Sequence, residues 1–199
     1  MKSAVAIILL LLLTACAVVN KQYYLPVDSR LAVEGTVCGS VPWGSTRLPL
    51  AESLFAVVDL APVEGLLSLT IQLAIPTGTS VRFIKPEIRF IDSSGAREYV
   101  ATMERWQVSV YGRGGQPGHL EYFASDALLE GRGRNADLAD TKTTYLKKDL
   151  FISRAAVKAP AFTGLAMALP SLEVNGVAVQ PESISLRLIE RTGVMTCIQ

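Results

Sequence analysis

The feature that most constrains the fold is an alternation of apolar and polar side chains with a period of two. Residues 67–73, Leu-Ser-Leu-Thr-Ile-Gln-Leu, alternate without a break, and residues 106–110, Trp-Gln-Val-Ser-Val, do so again. Successive side chains of a strand point to opposite faces, so each segment gives one face to a core and the other to water. Little helical periodicity accompanies these segments. The pattern therefore predicts an all-β protein.

Turn signals separate the predicted strands at short intervals. Asn175-Gly176 lies between residues 172–174 and 177–179. This dipeptide is typical of a type I′ hairpin turn, which needs positive φ at both central positions. About ten short strands follow from this spacing. We therefore expect an antiparallel β-sandwich, either immunoglobulin-like or a jelly-roll Greek key, with a closed β-barrel as the alternative. Residues 194–198 are expected to form a separate last strand.

The first 16 residues differ from the rest of the chain. Residues 4–13 form an apolar run that is too short to cross a hydrocarbon core of roughly 30 Å, but it has the length of a signal-peptide core. Leu13-Thr14-Ala15-Cys16 follows, and it resembles the lipobox of bacterial lipoprotein precursors. Two other interpretations stay open. Ala15-Cys16-Ala17 also fits the A-x-A pattern of ordinary secretory cleavage, and the apolar run alone also fits a buried helix.

The lipoprotein resemblance, which covers only residues 1–17, implies a domain organisation and a location. It implies a signal peptide at residues 1–15 and acylation of Cys16, so that the protein contacts a membrane through covalent lipid. Ala17 is not the aspartate associated with inner-membrane retention, which implies the outer membrane, with the domain facing the periplasm. We expect residues 16–30 to be a lipid-anchored tether and residues 31–199 to form a single sandwich domain. Tyr23 and Tyr24, within this tether, are expected to pack on the domain edge rather than at the membrane interface.

The cysteine count is consistent with lipidation. The sequence has three cysteines, and an odd cysteine in an exported protein needs an explanation. If Cys16 is acylated, Cys38 and Cys197 remain as a pair in an oxidising compartment, where disulfides persist. We therefore predict a disulfide between Cys38 and Cys197, and the alternative is two buried thiols.

Charge and motifs exclude several functions. The chain has 19 Lys and Arg against 18 Asp and Glu, and removing Lys2 with the leader brings the net charge to zero. Nucleic-acid binding relies on clustered cations, so we expect no nucleic-acid partner. A single histidine, His119, argues against zinc, and neither a phosphate-binding loop nor a G-x-S-x-G elbow occurs. We expect no catalytic residue, no cofactor and no metal site.

These observations favour a non-catalytic envelope lipoprotein whose sandwich binds an envelope protein or a cell-wall partner. The alternative is an envelope hydrolase or glycan-binding module with a site near Trp43 or His119. Trp43 follows a proline and precedes a glycine, which predicts a turn, and aromatic faces can stack on sugar rings. Trp106 is expected in the core. The glycines and charges of residues 131–135 predict a loop without fixed structure.

Overall fold

The computed structural model describes residues 17–37, 41–51, 54–111, 118–134 and 148–195. Cys16, Cys38 and Cys197 lie outside these residues, so lipidation and the disulfide stay predictions. In the described part of the chain, no helix has the length and apolar character needed to span a membrane.

Sixteen strands and one short 3-10 helix, Ser29–Leu31, make up the regular structure of the described residues. The strands are β1 (Ala17–Pro26), β2 (Ala32–Val37), β3 (Val41–Ala51), β4 (Leu54–Val63), β5 (Leu66–Pro76), β6 (Ser80–Phe83), β7 (Glu87–Asp92), β8 (Glu98–Thr102), β9 (Trp106–Val110), β10 (His119–Phe123), β11 (Leu129–Glu130), β12 (Lys148–Lys158), β13 (Gly164–Ala168), β14 (Leu172–Val174), β15 (Val177–Val179) and β16 (Ile184–Met195).

The strands form three antiparallel sheets. A seven-stranded sheet has the order β10-β9-β12-β5-β4-β3-β2, a five-stranded sheet has the order β1-β16-β13-β7-β8, and a four-stranded sheet has the order β11-β6-β14-β15. Their apolar faces share one core, so the predicted β-sandwich is confirmed. The seven-stranded sheet has edges at β10 and β2, so the described strands do not form the closed barrel considered as the alternative.

The core follows the alternation that the sequence shows. On β5, the side chains of Leu67, Leu69, Ile71 and Leu73 are at most 1% exposed, and the polar residues between them face the other way. Trp106 is fully buried, as predicted, and its ring stacks on Phe83 with 5.4 Å between the ring centroids.

The hairpin predicted at Asn175-Gly176 is confirmed. These residues have φ values of 51° and 78°, and the strands on either side pair from Val174↔Val177 to Leu172↔Val179. Glycine adopts this left-handed region without a steric penalty, and asparagine tolerates it.

The tether expected over residues 16–30 is wrong for its described part. Residues 17–26 form β1, which pairs with β16 from Ala17↔Met195 to Pro26↔Leu186. Tyr24 is fully buried, and its hydroxyl donates to the Phe162 carbonyl at 3.0 Å while it accepts from the Phe162 amide at 2.8 Å. Packing of the tyrosines on the domain is thus confirmed.

The expected break before residue 194 is also wrong. β16 runs without interruption from Ile184 to Met195, because β1 pairs with it continuously from Leu186 to Met195. Two separate predictions, a tether and a short last strand, are therefore replaced by one long antiparallel pair.

Candidate functional site

A cleft opens where β3 and β4 part. The two strands pair from Ala51↔Leu54 to Thr46↔Val58 and no further. N-terminal to Thr46, β3 pairs only with β2, whereas β4 continues along β5 to Val63↔Leu66. Half of the backbone N–H and C=O groups of a strand point to each side. Among the described residues, those of segments 41–45 and 59–63 that point into the cleft have no strand partner on that side.

The cleft has the size and lining of a ligand site. It is open to solvent and has a volume of about 600 Å³, and β1 supplies its third wall through residues 20–23. Ligand pockets of proteins commonly measure about 300–1,000 Å³ and combine apolar surface with a few polar groups. Here aromatic, charged and apolar side chains share the lining, among them Tyr23, Trp43, Lys21, Asp59, Ala61 and Val63.

Trp43 is fixed in the cleft by a glycine on the neighbouring strand. The turn predicted at Trp43 is wrong, because the residue lies within β3, opposite Gly35 of β2. A Cβ on Gly35 would lie 2.7 Å from Nε1 of Trp43, closer than real Cβ contacts come. The absent side chain at Gly35 therefore makes room for the indole, which is half-buried.

A second glycine lets β1 approach β3. A Cβ on Gly44 would lie 2.8 Å from Cδ2 of Leu25 and 2.9 Å from Cδ2 of Tyr23. These two side chains and Tyr24 are all buried, so both faces of β1 are covered. The aromatic part of the cleft is thus built on the close packing of β1 against Gly44.

Asp59 adds to the cleft an ionisable side chain whose pKa is raised. Burial raises the pKa of the Asp59 carboxyl above its ordinary value, and the Ser45 hydroxyl and the Gln72 amide beside it oppose part of that shift. Nε2 of Gln72 donates to Asp59 at 3.3 Å. The Ser45 hydroxyl is itself buried and makes no well-aligned hydrogen bond within the described residues.

The structure does not bring His119 and Trp43 together. His119 lies on β10 at one edge of the seven-stranded sheet, and four strands separate β10 from β3. At a strand spacing of about 4.8 Å, the two strands lie roughly 24 Å apart. The His119 side chain is 63% exposed, with Nε2 3.7 Å from Oε1 of Glu121. The two positions considered from the sequence therefore belong to different surfaces.

A buried ionic cluster was missed by the sequence reasoning. Asp149 is fully buried and accepts from the backbone amides of Arg132 and Arg134 at 2.7 and 2.8 Å, and from Nη1 of Arg134 at 2.7 Å. The Arg134 side chain is 7% exposed, and its Nε donates to Glu121 at 2.8 Å. Burial acts to lower the pKa of Arg134, but the hydrogen bonds to Glu121 and Asp149 outweigh it and raise that pKa.

Residues 131–134 form a loop, as predicted, but this cluster gives the loop a fixed structure, which the prediction did not expect. Residues 131–134 are held in place by Asp149 and by backbone bonds, in which Gly78 donates to the Gly131 carbonyl at 2.8 Å and Gly131 donates to the Thr79 carbonyl at 2.9 Å. Asn135 lies outside the described residues. The prediction failed because composition treats an arginine as solvated, whereas a carboxylate within reach lets it be buried.

Comparison with known proteins adds no relative. No protein-family model matches the chain, and no curated protein or solved structure matches it either. The class is therefore set by the fold and the site: an all-β sandwich with a ligand-sized cleft between two strands that part.

Proposed function

We propose that this protein is a cell-envelope lipoprotein, anchored through Cys16, whose sandwich binds an envelope protein or a cell-wall partner in the β3–β4 cleft without transforming it. The observation that carries the proposal is the parting of β3 and β4 beyond Thr46↔Val58. A sheet that opens around a lined cavity exposes backbone groups and side chains together, and both are used to recognise extended partners.

The lining suits a polymer with alternating polar and apolar surfaces. Trp43, which is half-buried, offers rigid apolar area with a polar tip, and such a side chain loses little conformational entropy on binding. Lys21 and Asp59 add a basic and an acidic side chain to the lining, and the unpaired backbone groups add hydrogen-bonding capacity. Such a lining fits a peptide segment or a glycan strand of the cell wall.

A glycan-binding module is the second candidate, and Trp43 is the observation that favours it. An indole held at a fixed angle against Gly35 can stack on a sugar ring. The hydrolase alternative has less support, because glycoside hydrolysis generally uses a pair of carboxylates. Of the described residues that line the cleft, Asp59 supplies the one carboxylate.

Site-specific photo-crosslinking in intact cells tests the proposal. A photoreactive side chain replaces Val63, which lies on the cleft wall and is 48% exposed, or Val177, which is 66% exposed on β15 of another sheet. We expect one discrete adduct from position 63 and none from position 177. If the partner is cell-wall glycan, digestion with a muramidase lowers the apparent mass of the adduct. If the partner is a protein, the mass of the adduct stays unchanged.

Substitutions of Trp43 are the matched control. Trp43→Ala should remove most of the adduct at position 63, whereas Trp43→Phe keeps an aromatic face and should retain it. Circular dichroism of both variants separates a lost contact from a lost fold. Equal adducts from positions 63 and 177, or none from position 63, would contradict cleft binding.

A further inference from the structure

A second pocket lies on the outer face of the seven-stranded sheet. It is open to solvent, has a volume of about 540 Å³, and is lined by Arg47 of β3, Phe55 of β4, Lys148 of β12 and Arg30. The residues that follow Arg47 and Lys148 and the one that precedes Phe55 are buried. Because side chains alternate along a strand, these three point away from the core. We call this site, defined by the four residues, the Arg47 pocket.

The ring of Phe55 brings two cations together. The guanidinium carbon of Arg47 lies 3.9 Å from the centroid of this ring, and Nζ of Lys148 lies 5.5 Å from it. The face of an aromatic ring attracts cations, and a guanidinium also stacks on it. The ring therefore keeps both charged groups near one point before a ligand arrives, which lowers the entropy lost on binding.

These two cations have no acidic partner. Neither Arg47 nor Lys148 forms an ion pair within the described residues. Arg47 lies opposite Val57, so Phe55 and Asp59 on β4 are both its diagonal neighbours. The guanidinium lies over the Phe55 ring and not within ion-pair distance of Asp59.

The third cation of the pocket adds little net charge. Nη2 of Arg30 lies 2.7 Å from Oδ2 of Asp28, so the two charges compensate each other. The charges of Arg47 and Lys148 remain, and like charges held near each other repel. An anion between them would remove that repulsion.

The chemistry of the lining matches a phosphate ester. A phosphate monoester carries a charge of about −1.5 to −2 at pH 7, which fits two uncompensated cations better than the single charge of a carboxylate. The guanidinium of Arg47 can donate two parallel hydrogen bonds to phosphate oxygens, and Lys148 adds a point charge. Leu31 and Pro49 give the pocket apolar surface for the organic part of such a ligand.

We propose that the Arg47 pocket binds an organic phosphate monoester, with the phosphoryl group between Arg47 and Lys148 and the organic part against Leu31 and Pro49. The site is separate from the β3–β4 cleft, because Trp43 lies four residues from Arg47 along β3, about 14 Å away. It requires neither the lipid anchor nor a partner in the cleft.

Isothermal titration calorimetry of the purified full chain in nonionic detergent tests the site. Phenyl phosphate is the probe, benzoate carries the same ring with one charge, and inorganic phosphate carries the charge without the ring. Titration of each compound into detergent alone gives the background. We expect phenyl phosphate to bind about tenfold or more tightly than either of the other two, because each lacks one set of contacts.

Substitutions assign the binding to the pocket. Arg47→Gln and Lys148→Gln should each weaken the binding of phenyl phosphate by about tenfold or more, because each removes a charge-assisted contact. Arg47→Lys keeps the charge without the planar fork and should have a smaller effect than Arg47→Gln. Lys158→Gln, at the other end of β12, is the control matched in charge, and Trp43→Ala is the control for the cleft. Both controls should bind like the wild type.

Two further esters identify the source of the phosphate. Dihexanoyl phosphatidate represents a lipid headgroup, and glucose 1-phosphate represents a soluble sugar phosphate. The ester that binds more tightly assigns the source. If neither binds more tightly than inorganic phosphate, the organic part makes no contact and the proposal is wrong.

Two other results would overturn the site. One is equal weakening by Lys158→Gln and Lys148→Gln, which would show attraction by the overall charge alone. The other is phenyl phosphate that binds no more tightly than benzoate. Neither result bears on the cleft, because crosslinking at position 63 tests that site separately.

Discussion

Removing the Asp149 carboxylate is the substitution from which we expect the largest loss of stability. Its oxygens accept hydrogen bonds from two backbone amides and from the Arg134 guanidinium, and no part of the side chain reaches solvent. Asp149→Ala leaves that guanidinium, whose side chain is 7% exposed, without its closest buried partner. The two amides that hold residues 132 and 134 lose their acceptor in the same substitution.

The expected cost follows from burial. Breaking a buried ion pair on one side costs about 3–5 kcal/mol, because the remaining charge loses its partner away from water. Glu121, 2.8 Å from Nε of Arg134, stays in place and offsets part of that cost. The net stability of a domain is only about 5–15 kcal/mol, so Asp149→Ala should remove a large fraction of it. By contrast, Glu173→Ala breaks a 2.8 Å ion pair with Arg82, whose side chain is 49% exposed. Exposed pairs contribute about 0–1 kcal/mol.

Urea unfolding measures both variants. With a slope of about 2 kcal/mol per molar urea, a loss of about 4 kcal/mol lowers the midpoint by about 2 M, while Glu173→Ala moves it by less than about 0.5 M. Replacing both partners, Asp149→Ala with Arg134→Met, should cost less than the sum of the two single changes, because no charge is left buried. If Asp149→Ala costs no more than Glu173→Ala, the cluster is not the stabilising contact that its geometry indicates.

Three further predictions follow from the described contacts. Gly131→Ala should lower the free energy of unfolding by about 1–3 kcal/mol, because its Cβ would overlap the Pro76 carbonyl oxygen. Gly164→Ala, whose Cβ would lie 3.4 Å from the nearest atom, should cost clearly less in the same thermal or urea unfolding experiment. Equal costs would contradict the overlap. Burial raises the pKa of Asp59 above 3.8, so ionisation of this carboxyl opposes folding. The free energy of unfolding of the wild-type protein should therefore fall relative to that of Asp59→Asn as the pH rises above 3.8 and through the raised pKa. Parallel stability curves of the two proteins from pH 3 to 7 would contradict this. Cys16→Ala should abolish incorporation of labelled fatty acid in cells, and retained label would refute the anchor.

Strands with one buried face could be predicted from the sequence. On β5 and β9, the alternation is visible because one face is apolar and the other faces polar surroundings. The hairpin at Asn175-Gly176 could be predicted because the turn itself dictates its residues. These cases depend on local rules, which hold without knowledge of the neighbouring strands.

The missed features depend on partners distant in sequence. β1 was expected as a tether because Asn20, Lys21, Gln22 and Pro26 give the segment a polar, loop-like composition. Its period of two is hidden because the consecutive residues 23–25 are buried on both faces of the strand. Trp43 could be identified from the sequence as a candidate binding residue, but the cleft beside it could not be predicted. Its position depends on where β3 leaves β4, and no residue pattern marks that point.

The glycines gave a signal that could have been used. Gly35 and Gly44 lie inside strands, where glycine often marks a close approach of a neighbour. Interpreted in this way, they would have pointed to a crowded contact around Trp43. Arg134 gave no such signal, since its burial depends on Glu121 and Asp149 from two other parts of the chain.

Cysteine accessibility at Val63 tests the central claim, that the β3–β4 cleft holds a partner in the cell envelope. Val63→Cys and Val177→Cys are labelled with a maleimide that does not cross membranes, in isolated envelopes and in vesicles that contain only the purified lipidated protein. If the cleft is occupied, Val63→Cys reacts several-fold more slowly in envelopes than in vesicles, adding Trp43→Ala restores the faster rate, and Val177→Cys reacts equally in both. Equal rates for Val63→Cys in envelopes and vesicles would contradict the account.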